Sequence, residues 1–145
     1  MRRIAVGLVI GLAVLAGTLA WAARGDNDDA AAALPAGGLR GTFGSLTQKT
    51  TGAAVLVQRR DGTRVLHLRQ FRTRAAPDLF VHLVPRASAS GEIWGGVELD
   101  SLYTSYGESS YTVPAGFDLG SSPTVVIWCD ACHVAFAAAV LHPAT

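Results

Sequence analysis

The chain has 145 residues, enough for one modest domain and too few for a second catalytic one. Half of the residues are hydrophobic and only 16% are charged, which excludes a largely disordered chain. The formal charge is +1, with one lysine and eleven arginines scattered along the sequence, so the basic stripe that nucleic acid requires is missing and nucleic acid is excluded as a partner.

Met1-Arg2-Arg3 is a short cationic leader, and the twenty residues from Ile4 to Ala23 carry no charge. A run of that length can cross a bilayer once, so residues 4–23 are expected to be a transmembrane helix or signal peptide and membrane is the expected partner of this segment. Arg2 and Arg3 precede the run, and Asp26, Asp28 and Asp29 follow it closely, so the positive-inside rule puts the rest of the chain on the extracytoplasmic side. Ala20-Trp21-Ala22 has the small-x-small form of a cleavage site and would release a secreted domain, whereas the length of the run favours an uncleaved anchor. The expected organisation is an anchor over 1–24, an Asp-, Ala-, Pro- and Gly-rich linker over 25–38, and a folded domain over 39–142.

Beyond residue 40, short β-branched and aromatic runs alternate with Gly, Pro, Asp and Ser, which predicts an all-β, antiparallel sandwich-like domain of about seven to nine strands. Ala53–Gln58 and Thr63–Phe71 flank Arg59-Arg60-Asp61-Gly62, a hairpin signal. Arg69, Arg72 and Arg74 form a small basic cluster read as a solvated strand end. Asp78–Val84, bounded by Pro77 and Pro85, puts Leu79, Val81 and Leu83 on one face and Phe80, His82 and Val84 on the other. Arg86–Gly96 reads as a long loop with Trp94 as its aromatic anchor. Val97–Leu102, Ser110–Val113, Thr124–Cys129 and Cys132–Leu141 complete the predicted strands.

Several of these pieces, taken in order, are similar to one family. They are Gly41-Thr42-Phe43, Gly52, Phe71, Ala76-Pro77-Asp78-Leu79-Phe80-Val81-His82-Leu83, Leu102, Gly107, Tyr111-Thr112-Val113-Pro114, Val125-Val126-Ile127-Trp128-Cys129 and Val134-Ala135-Phe136. The chain resembles the electron-transfer DM-thirteen domain, found beside DOMON domains in Skeletor-type animal proteins and alone in bacterial membrane-anchored proteins. The resemblance implies a β-sandwich-like domain with one key cysteine, acting as a bare redox thiol or as a haem ligand, and Cys129 holds that position. Cys132 stands where the family usually has an aromatic residue, and Ala137-Ala138 stands where a glycine often follows the final phenylalanine.

Cys129-Asp130-Ala131-Cys132-His133 also has the form of a c-type haem attachment site, with both thiols on the porphyrin and His133 on the iron. The flanking runs read instead as antiparallel strands joined by a two-residue turn. That arrangement pairs Ile127 with Val134 and Val125 with Phe136, and sets the two cysteines on the buried side, with Trp128 and His133 turned away. A sixth haem ligand would have to come from His67, His82 or His142, since the only methionine is Met1. Opposed cysteines in an exported domain predict a Cys129–Cys132 disulfide, either a redox couple or a clip; two inert buried thiols are a further reading. No metal is expected, because His67, His82, His133 and His142 show no paired ligand spacing. Tyr111, Trp128 and Phe136 read as core packing, and Trp128 or Tyr111 as an electron relay should Cys129 be redox-active. No Gly-x-Ser-x-Gly elbow or paired carboxylates point to a hydrolase. The expected function is a membrane-anchored redox domain centred on Cys129 and Cys132 with an unidentified redox partner. The alternative is a non-catalytic sandwich that binds a surface protein and uses the disulfide as a clip.

Overall fold

The computed structural model describes residues 34–144, and the expected anchor and most of the expected linker lie outside them. The described residues contain ten strands and no helix: β1 (Leu39–Thr42), β2 (Gly44–Ser45), β3 (Thr51–Gln58), β4 (Arg64–Arg72), β5 (Leu79–Val84), β6 (Val97–Ser101), β7 (Tyr106–Thr112), β8 (Thr124–Cys129), β9 (Val134–Val140) and β10 (His142–Pro143). They form two antiparallel sheets of five strands each, in the orders β10-β1-β3-β4-β7 and β2-β9-β8-β5-β6. This is the expected sandwich. Its strand number rises through the short pieces β1, β2 and β10, which the sequence reading did not separate.

Period-2 alternation builds the core. Ala54 and Leu56 of β3, Leu66 and Leu68 of β4, Leu79, Val81 and Leu83 of β5, and Val125, Ile127 and Cys129 of β8 form one cluster between the sheets. Each fully buried Leu or Val contributes roughly 1.5 to 3 kcal/mol. Phe43 and Phe71 meet edge to face at 5.2 Å and close one end of that cluster. The β3–β4 hairpin forms where Asp61-Gly62 announces it. Gly62 sits at φ 88° and its N–H donates to the Arg59 carbonyl at 2.9 Å, while Arg59 N–H donates to Thr63 O at 2.8 Å. The loop is therefore three residues long, with glycine in the left-handed position. Strand β7 begins at Tyr106, four residues ahead of the expected Ser110. It is an edge strand, so its exposed Tyr-Gly-Glu-Ser run carries no apolar alternation to betray it.

The outer face of the second sheet is also covered. Val84, Val126, Ala135 and Ala138 form a smaller buried cluster, with Ile93 and Trp128 packed against it. A Cβ on Gly91 would lie 2.5 Å from the Ala135 Cβ, so the 85–96 loop approaches the sheet as closely as backbone can. Trp94 is not the anchor of that loop: it is 67% exposed, with the Arg86 guanidinium stacked 3.4 Å over its ring. The anchor is Thr124, fully buried, whose hydroxyl donates to Arg86 O at 2.7 Å and accepts from Ser88 N–H at 2.8 Å. A threonine buried at a strand start has no distinctive sequence signal, which is why the large aromatic drew the expectation.

His82 lies on this same outer face, its side chain 12% exposed and its Nε2 3.8 Å from Glu98 Oε1, without a hydrogen-bond partner. Burial pushes its pKa below the ordinary imidazole value, and the carboxylates of Glu98 and Asp130 oppose that shift without cancelling it.

Two outcomes are expected. Thr124→Val keeps the shape but strands the Ser88 N–H and the Arg86 carbonyl, so stability should fall by about 1 to 3 kcal/mol; an unchanged urea midpoint would show that the loop is held some other way. Because His82 is harder to protonate in the folded state, the unfolded chain takes up the proton first, and the stability its neutral form carries is lost as pH falls below about 6.5. His67, also lowered mainly by burial, acts in the same direction. Thermal unfolding should thus shift down on acidification, and less so in His82→Gln. An equal shift in the two proteins would exclude His82 as a source.

Candidate functional site

Strand β8 carries Thr124-Val125-Val126-Ile127-Trp128 between β5 and β9 and delivers Cys129 at its end, 1% exposed and in the main core. Cys129 pairs with Leu79 on one side and with Val134 on the other. The chain then turns through Asp130-Ala131-Cys132-His133, all exposed, before β9 begins. Two left-handed residues shape this turn. Asp78, at φ 59°, lets its carbonyl accept the Asp130 N–H at 2.9 Å, tying the turn to the entry of β5. His133, at φ 57°, reverses the backbone into β9; histidine, like Asp and Asn, is among the non-glycine residues enriched in this region.

Cys129 and Cys132 form a disulfide, with Cα atoms 5.4 Å apart, inside the usual range. The Cys132 N–H also donates to Cys129 Sγ at 3.2 Å. The bond was expected, but its setting differs from the expectation in three respects. The turn has four residues, not two, so Cys132 belongs to it and not to the final strand. The register is Ile127 with Ala137 and Val125 with Ala139, shifted by an irregularity between Ile127 and Trp128. Finally, only Cys129 is buried. The cause is local: Asp-Ala does not suit the primed two-residue turns, and Phe136 is the extra residue of a bulge whose carbonyl accepts from Leu46 N–H at 2.9 Å.

The sequence candidates do not converge on one cofactor. Both thiols are tied up in one bond, Cys129 lies in the core, and His133 is exposed on the turn. His67 belongs to the first sheet, where its Nδ1 is 2.7 Å from Ser110 Oγ; His82 is on the outer face of the second sheet, and His142 is exposed on β10. This donor arrangement does not fit a covalently attached haem, nor a haem held by Cys129 alone. Among the described residues no three His, Cys, Asp or Glu side chains gather as a metal site.

Tyr111 is buried in the same core cluster as Cys129, with its hydroxyl accepting from Tyr103 N–H at 2.9 Å and its ring stacked on Tyr103 at 4.5 Å. Tyr103 in turn donates its hydroxyl to Asp100 Oδ2 at 2.6 Å, which raises the phenol pKa and lowers that of the carboxyl. Phe136 is buried in the core, while Trp128 is half-buried on the outer face of the second sheet. A depression of about 310 Å³ opens beside Asp78 and Leu79 and is walled by Tyr103. The sequence reading overlooked Asp78 as the residue that pins the turn. Its signal was available: Pro77 restricts the backbone ahead of it, and aspartate tolerates the left-handed region.

The arrangement suits thiol–disulfide exchange. A nucleophile attacking this bond would meet the exposed Cys132, and a departing Cys129 thiolate would stay beside an amide donor.

Comparison with known proteins finds no match among curated proteins or solved structures. One family model, described as Electron transfer DM13, matches residues 42–141. That span starts at the end of β1, takes in β2 to β9 and the Cys129–Cys132 turn, and stops just past β9; the chain belongs to the electron transfer DM13 family.

Proposed function

We propose that the domain transfers electrons on the extracytoplasmic side of a membrane, anchored by residues 4–23, with the Cys129–Cys132 couple as its working group. Family membership supports a redox role in general. The observation that carries the specific reading is the asymmetry of the pair, one cysteine exposed on a turn and the other buried with an amide N–H on its sulfur. The anchor and the location rest on the cationic leader and the uncharged run after it.

The exchange partner is a protein dithiol. One of its thiolates attacks Cys132 Sγ, breaking the S–S bond and forming a mixed disulfide, while Cys129 leaves as a thiolate and takes up a proton. The second partner thiol loses its proton and attacks the first partner sulfur. Cys132 is thereby released as a thiol, and the partner keeps a disulfide. Two electrons and two protons have passed to the domain, and the reverse sequence returns them.

A purely structural clip is the second reading, favoured by the burial of Cys129. A loop this short constrains the unfolded chain by only about 2 kcal/mol, a modest return for a bond with no other role.

Equilibration of the full-length chain with glutathione buffers, read by mass, should give a potential above about −300 mV; a value below it would assign the bond to the clip. Single-cysteine variants test the direction of attack. Cys129→Ala leaves the exposed thiol and should form a mixed disulfide with oxidised glutathione about tenfold or more faster than Cys132→Ala, which leaves the buried one. The opposite order would reject Cys132 as the entry point.

A further inference from the structure

Three cations from two separate segments meet at the end of the β3–β4 ladder. The last ladder pair is Thr51 with Arg72. One step further the buried Thr50 and Thr73 hydroxyls lie 2.8 Å apart, and their backbones are fixed as well, with Thr50 N–H donating to Ser45 Oγ at 2.9 Å and Thr73 N–H to Ser105 O at 2.9 Å. The residues on either side alternate outward: Lys49 and Thr51 on one segment, Arg72 and Arg74 on the other, all exposed. Together with Gln48 and Thr73 they line a depression of about 340 Å³ that contains no acidic side chain.

Stability does not account for this grouping. Like charges facing each other across paired strands repel. Three other arginines have partners: Arg64 donates to Pro114 O at 3.1 Å, Arg69 faces Glu108 at 3.9 Å, and Arg86 stacks on Trp94, whereas Arg40, Arg59 and Arg60 form no ion pair among the described residues. Among the described residues, Lys49, Arg72 and Arg74 form no ion pair. Protection of a sheet edge does not explain them either, because β3 and β4 are inner strands of their sheet. The only lysine of the chain is one of the three.

We infer that this depression is an oxyanion site that takes a phosphate group. The two guanidiniums offer planar forks of donors, Lys49 a compact charge, and Thr51 and Gln48 neutral donors, on a floor held rigid by the Thr50–Thr73 pair. A phosphate offsets the repulsion among the three cations. Its source is either a soluble phosphate or the headgroup of an anionic phospholipid, and the site is separate from the disulfide.

The test uses the full-length chain in uncharged maltoside micelles. Pyrophosphate titrated at constant ionic strength should shift the backbone and arginine side-chain resonances of Lys49, Arg72 and Arg74 saturably, and should raise the unfolding temperature. Arg72→Gln and Arg74→Gln should each weaken binding about tenfold, whereas Arg60→Gln in the β3–β4 turn should leave it unchanged. Reconstitution into phosphatidylglycerol or phosphatidylcholine nanodiscs separates the sources. The same resonances shifting only with the anionic lipid identifies a headgroup, and shifting with pyrophosphate alone identifies a soluble phosphate. Equal shifts from chloride, or shifts that persist in the Arg72→Gln/Arg74→Gln double variant, would overturn the site.

Discussion

The burial of β8 on both faces is the constraint from which the rest of the domain follows. Val125 and Ile127 face the core between the sheets, and Val126 faces the smaller cluster under the 85–96 loop. A strand enclosed this way cannot slip by one residue, since a slip would exchange every side chain between two closely packed layers. Its last residue is therefore fixed, and that residue is Cys129. Its sulfur inherits the rigidity of the central ladder, while three residues on Cys132 stands on an exposed turn. The contrast between a buried and an exposed half of one bond is a consequence of where the strand ends.

Much of this was legible in the residues, for reasons that can be named. The alternation of Leu79, Val81 and Leu83 against Phe80 and His82 assigned both faces of β5, because a central antiparallel strand sorts its side chains with period 2. Asp61-Gly62 marked the first hairpin because only a residue tolerant of positive φ closes so tight a loop. The apolar run of β8 likewise marked a strand, while the covering of its second face by the 85–96 loop emerged only from the structure. The disulfide followed from two cysteines flanking a chain reversal.

What escaped the sequence depended on partners distant along the chain. The bulge at Phe136 is held by Leu46, ninety residues earlier, whose N–H takes the Phe136 carbonyl. No local pattern distinguishes that from regular pairing, so the bulge's share of the β8–β9 register error was out of reach, whereas the turn was read two residues short although Asp130-Ala131 does not suit a primed turn. The left-handed turn at Asp78 had a local signal in Pro77-Asp78, but that its carbonyl receives the Asp130 N–H did not. The same holds for the cations. Arg72 and Arg74 read as a solvated strand end until the β3–β4 register brings Lys49 against them, and their lack of counter-charges is a property of the sheet, invisible in the segment.

The Cys-x-x-Cys-His pattern shows the same dependence on context. Between helical flanks, those five residues would present two thiols and an imidazole to one porphyrin. Here they follow five strand residues, their own Cys129 ending that strand, and precede seven more, so they are obliged to form a hairpin connection. Within it every residue but Ala131 has a task that its backbone alone performs. Cys129 ends the central ladder, Asp130 bonds to β5, Cys132 reaches back to the preceding sulfur, and His133 supplies the positive φ that returns the chain to β9. A histidine recruited to close a turn needs no iron to account for it. Folding alone does not call for the second thiol, where a smaller residue would serve the turn equally well, and the proposed redox role rests on that surplus group.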